Sequence, residues 1–290
     1  MNPDLTIVIV NYKTKELVRR LLASIFARVK GVTFEVYLVD NASADGAVEM
    51  AAREFLQVKV IANEQNFGFA QANNQALRLA AGRHILLLNP DTELIEDTPT
   101  ALVRFADSHQ NAGVVGCKIL NSDRSRQKSV LAFPTVCSQA FIMLKLHHLL
   151  PWLPCLRRYF QNDFDYSKTA QVDQVMGSVF LITRAALERV GLFDERFFLW
   201  FEEVDYCKMV KNAGLEVCYT PETSAVHHGG QSFAQVFAPR RQRQFNDSLT
   251  KYFRKHHGVG AWLLLKALQP FSIILALIVG LLGLKRKKYA

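Results

Sequence analysis

The sequence predicts an α/β fold with a mostly parallel central sheet flanked by helices, and three observations predict it. Short apolar runs rich in β-branched residues recur through the first half of the chain. Segments with helical period lie between them, which is the rhythm of a layered parallel sheet. Acidic residues, Asp40 and Asp91, fall just past the ends of two such runs, where ligands of these sheets sit.

The elements follow in order. Leu5–Val10 (LTIVIV) reads as a buried strand. Residues 15–28 place Leu17, Val18, Leu21, Leu22 and Ile25 on one helical face. Phe34–Val39 is a second strand, and Ala44–Phe55 a helix with Ser43 as its N-cap. Val58–Ala62 is a third strand, Phe69–Ala80 a helix closed by Gly82, and His84–Leu88 a fourth strand ending at Asn89-Pro90-Asp91. Thr98–Ser108 reads as a helix and Val114–Leu120 as a strand. Residues 121–170 mix polar turns with apolar stretches and read as a long loop insertion over the active face. Val175–Ile182 is a strand, Arg184–Val190 a helix ended by Gly191, Tyr206–Asn212 a helix closed by Gly214, and Leu215–Thr220 a strand.

Bulk properties bound the function. The chain has 290 residues, 50% hydrophobic and 21% charged, which gives a real core and excludes a disordered chain. A net charge of +9 suits nucleic acid, anionic lipid or a phosphate-bearing substrate equally. Five cysteines without a Cys-x-x-Cys pair, and no basic segment ahead of the first strand, predict a reducing cytosolic setting with buried, unpaired thiols.

Four clusters carry chemistry. In Val39–Ser43, Asp40 is suited to accept a pyrimidine imide N–H, although taken alone the segment reads as a helix cap. In Asn66–Asn74, a glycine and amides at a helix start allow close approach of a phosphate, against an ordinary loop. Asn89-Pro90-Asp91 places a carboxylate where it can hold a divalent cation, or it simply starts a turn. Phe198–Asp205 sets three carboxylates beside three aromatics, suited to a sugar face and to a general base, or to an acidic helix start. His227, downstream, either completes a metal shell or lies in a polar loop.

In their order and spacing, segments 7–12, 39–43, 66–70, 88–91, 177–180, 197–205 and 227–232 resemble the family-2 glycosyltransferases, especially the bacterial rhamnosyltransferase-like branch, over residues 5 to about 257. The resemblance implies a GT-A fold. Residues 1–120 would form the nucleotide-sugar half, 121–257 the acceptor-binding and catalytic half, and 258–290 a membrane-associated apolar helix with a basic tail. It implies donor contacts from Asn11, Tyr12, Asp40, Asn41, Asn66, Gly68, Phe69, Asn73, Asn89, Asp91 and Gly177. Asp91 and His227 would hold a divalent cation, Mn²⁺ or Mg²⁺. Glu203 would be the base, with Glu202 as the alternative, and Trp200 and Asp205 would meet the acceptor. Two departures stand out: Asn89 replaces an acidic residue, and Glu202-Glu203 replaces the usual Glu-Asp.

The implied activity is inverting transfer of a sugar, rhamnose from dTDP-rhamnose by resemblance, to a hydroxyl of a lipid-linked or polysaccharide acceptor in cell-surface glycan synthesis. A nucleotidyltransferase is the competing enzyme, but Asn11-Tyr12-Lys13-Thr14 lacks the glycine-rich loop it typically uses. A basic membrane- or nucleic-acid-binding module would leave the acidic cluster without purpose, so no nucleic-acid partner is expected. The apolar stretch Phe271–Leu284 is 14 residues, short of the ~20 that span a bilayer, and Lys285–Lys288 follow it. A re-entrant or interfacial helix at the cytoplasmic face of the membrane is expected.

Overall fold

The computed structural model describes residues 2–229 and 238–281. The chain runs β1 (Leu5–Asn11), α1 (Lys15–Arg28), β2 (Phe34–Asp40), α2 (Ala47–Glu54), β3 (Val58–Ala62), α3 (Gly68–Leu77), β4 (His84–Leu88), β5 (Thr92–Leu94), α4 (Thr98–Ser108) and β6 (Ala112–Leu120). It continues through β7 (Arg126–Gln127), β8 (Val130–Leu131), α5 (Val136–Met143), α6 (Pro154–Tyr159), β9 (Ala170–Gln171), β10 (Gln174–Val175), β11 (Val179–Thr183), α7 (Arg184–Val190), α8 (Glu202–Asn212) and β12 (Glu216–His227). Two helices close it, α9 (Ala238–His256) and α10 (Gly258–Leu281).

The main sheet has the order β3-β2-β1-β4-β11-β6-β12-β5. β3, β2, β1 and β4 are parallel, so their carboxyl ends share one edge. β11 is antiparallel to β4 and β6, while β12 is parallel to β6. Side chains alternate across the sheet. Ile7 and Ile9 join Leu21, Leu22, Met50 and Leu102 in one core. Val8 and Val10 join Ala72, Phe180 and Tyr206 in the other, which also takes Leu249, Tyr252 and Phe253 of α9 and Leu265 of α10. The last two helices are therefore built into the catalytic body.

Several expectations are corrected. α2 starts at Ala47 behind Gly46 (φ +80°), and Ser43 does not cap it: the Ser43 hydroxyl accepts from Asn11 Nδ2 and Lys13 N. Gly82 does not close α3; it lies under β1, where a Cβ would strike the backbone of Leu5 and Thr6. The strand expected over 175–182 is split by Met176-Gly177-Ser178 into β10 and β11. β12 is far longer than Leu215–Thr220, with a register break between Thr220 and Ser224.

The insertion is no bare loop. It holds β7, β8, α5 and α6, and a reciprocal cap between Thr135 and Ser138 starts α5. Cys137 and Cys155, one on each helix with Cα atoms 6.3 Å apart, are joined in a disulfide, against the expectation of five unpaired thiols. Cys117, Cys207 and Cys218 are free and buried, as expected. The C-terminal helix also runs on through Lys266, Gln269 and Pro270, so Gly258–Val279 offers 22 residues long and apolar enough to cross a membrane. The length objection to spanning fails because Pro270 does not break the helix. Residues 230–232 and 285–288, which carried two of the expectations, lie outside the described residues.

Candidate active site

The site forms at the carboxyl edge of the parallel strands. Strand order switches at β1, with β2 and β3 added on one side and β4 on the other, and a crevice at such a point is where these sheets bind ligands. Asn11 ends β1, Asp40 ends β2, and Asp91 follows β4.

Topology brings Asp91 and His227 together from 136 positions apart. β5 pairs antiparallel with the end of β12, setting Thr92 opposite His227. His227 Nε2 lies 3.2 Å from Asp91 Oδ1, and both side chains are largely buried. Its Nδ1 sits 2.8 Å from Gln127 Oε1, and Gln127 Nε2 donates to Asn121 Oδ1 at 2.9 Å, which fixes the amide. Nδ1 is then the donor nitrogen, and Nε2 faces the carboxylate, where it can offer a lone pair to a cation or an N–H to Asp91.

An unprotonated imidazole and a carboxylate at this separation would fit a shared cation, with the outer nitrogen oriented as it is in many metal-bound histidines. Among the described residues no group of three metal-binding side chains exists. The remaining positions would fall to substrate oxygens and water, as is usual for cations bound with a phosphate substrate.

Glu203, the expected base, lies across Met176-Gly177-Ser178. The Ser178 carbonyl accepts from Asn89 N at 3.1 Å and from Thr92 Oγ1 at 3.1 Å, tying this strip to the Asp91 turn. On its other side Gly177 meets Glu203: a Cβ there would touch Glu203 Cβ at 3.6 Å, an ordinary contact. Glu202 and Glu203 open α8 after Trp200 and Phe201, both in the left-handed region (φ +65° and +68°). Two adjacent non-glycine residues held there store strain, a frequent feature of functional turns.

Glu202 is buried, whereas Glu203 is partly accessible. Buried oxygens of both carboxylates, and Ser178 Oγ, have no hydrogen-bond partner among the described residues. Burial, and then the charge of Glu203, pushes Glu202 well above the usual carboxylate range; burial also raises Glu203. A carboxylate raised by folding opposes the folded state increasingly as pH climbs from its unfolded value toward its folded one, so Glu202→Gln should stabilise the protein near neutrality. We expect its melting temperature to exceed wild type at about pH 7.5 and to converge on it at about pH 4, below the ordinary carboxylate value. Equal increments at both values in calorimetry would contradict the burial argument.

Several residues expected to contact the donor are engaged in hydrogen bonds within the protein. Asn11 is fully buried: its Nδ2 donates to Asp40 Oδ1 at 2.7 Å, and its Oδ1 accepts from Thr14 N and Oγ1. It orients Asp40 and has no free edge for a base. Asn41 is spent on the Gly68 carbonyl and on Asn63. Asn73 donates to the Phe69 carbonyl within its own helix. Gly68 (φ +80°) permits close approach of the chain itself, since a Cβ would strike the Phe198 carbonyl, which accepts from Phe69 N at 2.7 Å. The N-terminus of α3 is thus occupied by loop 194–201, and Asn66 Oδ1 accepts from Gly68 N.

Asp205, expected to meet the acceptor, is likewise engaged within the protein. It is fully buried and accepts from His256 Nε2 at 2.6 Å and Lys255 Nζ at 2.7 Å, clamping α8 to α9. Removing one partner of a buried charge pair leaves the other uncompensated. Asp205→Ala should cost about 3 kcal/mol in denaturant unfolding; a loss below about 1 kcal/mol, the worth of an exposed pair, would refute the clamp.

Asp40, Tyr12, Asn89 and Trp200 keep positions consistent with ligand contact. Asp40 borders a cavity of about 520 Å³ with Lys15, Ala42, Asp45, Arg53 and Asn63. Tyr12 and Asn89 are partly exposed, and Trp200 packs edge-on against Phe245 at 6.0 Å.

Asp45 and Gln127 were not among the expected site residues. Asp45 accepts from Lys15 N and Ala47 N, starting both α1 and α2; its place just ahead of a helical run was the signal. Gln127 lies on a two-residue strand inside the insertion, where no periodicity marks it.

The profile of "Glycosyl transferase family 2" matches residues 6–191. The N-acetylglucosaminyl-diphospho-decaprenol L-rhamnosyltransferase of Mycobacterium tuberculosis is 29% identical over 248 residues, 80% of this chain and 78% of that protein. The low-salt glycan biosynthesis hexosyltransferase Agl10 of Haloferax volcanii is 26% identical over 232 residues, 79% and 68% of the two chains. A mannosyltransferase from Pyrobaculum calidifontis, solved with GDP-Man and Mn²⁺, shares the fold with a TM-score of 0.58 at 17% identity, over 99% of this chain and 77% of that one. The sheet order, the carboxyl-edge site and these likenesses agree: the chain is a glycosyltransferase of GT-A fold and belongs to family 2.

Proposed function

We propose that the protein transfers a sugar, rhamnose from dTDP-rhamnose as the leading candidate, with inversion, to a hydroxyl of a lipid-linked acceptor at the cytoplasmic face of a membrane. The pairing of Asp91 with His227 carries the reading, because it brings together two side chains able to hold a cation at the sheet edge where a nucleotide diphosphate would lie. The rhamnosyltransferase relative, whose name carries a decaprenol-linked substrate, supports the choice of sugar and of acceptor class.

Asp91 and His227 would hold Mn²⁺ or Mg²⁺, with Gln127 fixing the imidazole. When bound, the cation offsets negative charge on the departing nucleotide diphosphate. Asp40 would meet the base from its cavity, beside Tyr12. Glu203 accepts the acceptor hydroxyl proton; burial raises its basicity, and its partial exposure favours it over Glu202 for this role. Trp200 would offer an apolar face to a sugar ring.

A panel of nucleotide sugars, each tested with Mn²⁺ and with EDTA, checks the reading. We expect cation-dependent thermal stabilisation and slow donor hydrolysis with one or two donors, deoxythymidine-diphosphate sugars foremost. Stabilisation by none of them would sink it.

A further inference from the structure

The two C-terminal helices form a hairpin with a polar seam and an apolar exterior. They meet at Gly258, whose φ of +82° turns the chain. Asn246 lies beside Gln269 and Ser272, Thr250 beside Gln269, and Arg254 beside Trp262. Positions rising along α10 meet positions falling along α9, so the helices run antiparallel.

Hydrogen bonds cross the middle of the seam. Gln269 Nε2 donates to the Asn246 carbonyl at 3.2 Å and to Thr250 Oγ1 at 3.3 Å. Asn246 Oδ1 accepts from Gln242 Nε2 at 3.0 Å and from Ser272 Oγ at 3.4 Å. Asn246 and Ser272 are buried, and polar contacts of this kind between two helices favour one register of packing. α9 is itself anchored in the body through Tyr252 and Phe253 and through the Asp205 clamp.

The opposite face of α10 is bare. Val259, Leu263, Leu264, Phe271, Ile274 and Ile278 are 45–59% exposed. At about 100° per residue they fall on one side of the helix. A contiguous apolar face on a water-soluble surface marks a binding partner.

By length and composition α10 could cross a bilayer. Its partner forbids it. α9 presents Arg240, Arg243, Asp247, Lys251 and Arg254 at exposed positions, and such a face cannot enter hydrocarbon. α10 lies alongside α9 and shares its depth. Crossing would strip Gln269 and Ser272 from Asn246 and draw Leu265 out of the core.

We propose that α10 is an in-plane, monotopic anchor that lays its exposed apolar face into an anionic bilayer while its seam stays closed on α9. Charge supports lipid as the occupant: Arg254 and Lys266 lie 4.8 and 5.1 Å from the Trp262 ring, a cation–aromatic cluster suited to the headgroup layer, and the chain carries +9 overall. The inference rests on the membrane-surface part of the proposed function and specifies how the surface is engaged.

The test uses the full chain and two assays. In flotation with sealed vesicles of phosphatidylethanolamine and phosphatidylglycerol, we expect binding that weakens sharply when the anionic lipid is replaced by phosphatidylcholine. The pair Leu264→Glu and Phe271→Glu should reduce partitioning by at least about tenfold, with unchanged melting temperature and unchanged Mn²⁺-dependent donor stabilisation. In inverted membrane vesicles from expressing bacteria, trypsin should release peptides from Lys285–Lys288 together with those of the catalytic body.

Protection of the Lys285–Lys288 peptides would show a span and overturn the proposal. So would a dimer in light scattering that the two substitutions dissociate, with no vesicle binding by wild type, which would make the occupant a second copy. Donor stabilisation without vesicle binding refutes the anchor alone, and vesicle binding without any donor response refutes the sugar-transfer reading alone.

Discussion

Glu203→Gln should lower turnover by about 10²–10⁴-fold, the range that a positioned general base supplies, and leave donor affinity within about twofold. The substitution keeps shape and removes only the capacity to accept a proton. Because proton removal is needed on the way to the transition state, the loss should fall on kcat and not on donor binding. Wild-type kcat should rise with pH along a limb displaced above the ordinary carboxylate range, since burial holds Glu203 protonated longer. The sign follows from the role: a base works in its ionised form, so a raised value moves the limb to higher pH. The variant should lose the limb. Glu202→Gln is the control: it removes the other buried carboxylate, and its kcat should stay within a few-fold of wild type. If Glu202→Gln shows the large loss and Glu203→Gln the small one, the two roles are exchanged. If neither loses turnover, the base lies elsewhere.

The parallel strands were legible because each is a short apolar run with a buried pattern; β1 and β4 are buried along their whole length. Asp40 and Asp91 were found because strand ends are where such sheets place ligands. What sequence could not give was which polar side chains face a ligand and which face one another. Asn11, Asn41 and Asn73 look like ligand contacts by type and position, yet each amide closes on a neighbouring strand, loop or helix turn. Asp205 reads as part of an acidic cluster until the chain returns 50 residues later with Lys255 and His256. Such pairings are long-range, and no local periodicity encodes them. Two-residue strands such as β7 and β10 are set by tertiary pairing and leave no signal. Gln127, which orients His227, therefore lay hidden in a segment read as loop.

That hidden residue makes the cation site testable in a way the Asp91–His227 distance alone does not. If the pair is only an ion pair, Asp91→Ala should cost stability without altering any response to metal. If the pair holds a cation under the donor diphosphate, Asp91→Ala should abolish the gain in donor affinity produced by Mn²⁺. It should also reduce kcat by about 10³-fold, corresponding to the several kcal/mol that such an ion contributes. Donor affinity in EDTA should be the same for variant and wild type, because the nucleotide contacts near Asp40 are untouched. Gln127→Ala gives the graded case. It leaves both ligands in place and frees only the imidazole, and loss of such an outer partner typically weakens metal binding 10–100-fold. We expect its Mn²⁺ half-saturation to rise by about that factor, with kcat largely recovered at saturating metal. Titration calorimetry of donor at fixed Mn²⁺, and rates against Mn²⁺ concentration, measure both. An unchanged Mn²⁺ half-saturation in Gln127→Ala, with donor affinity in Asp91→Ala still responsive to metal, would leave His227 and Asp91 as a structural contact between β5 and β12 and nothing more.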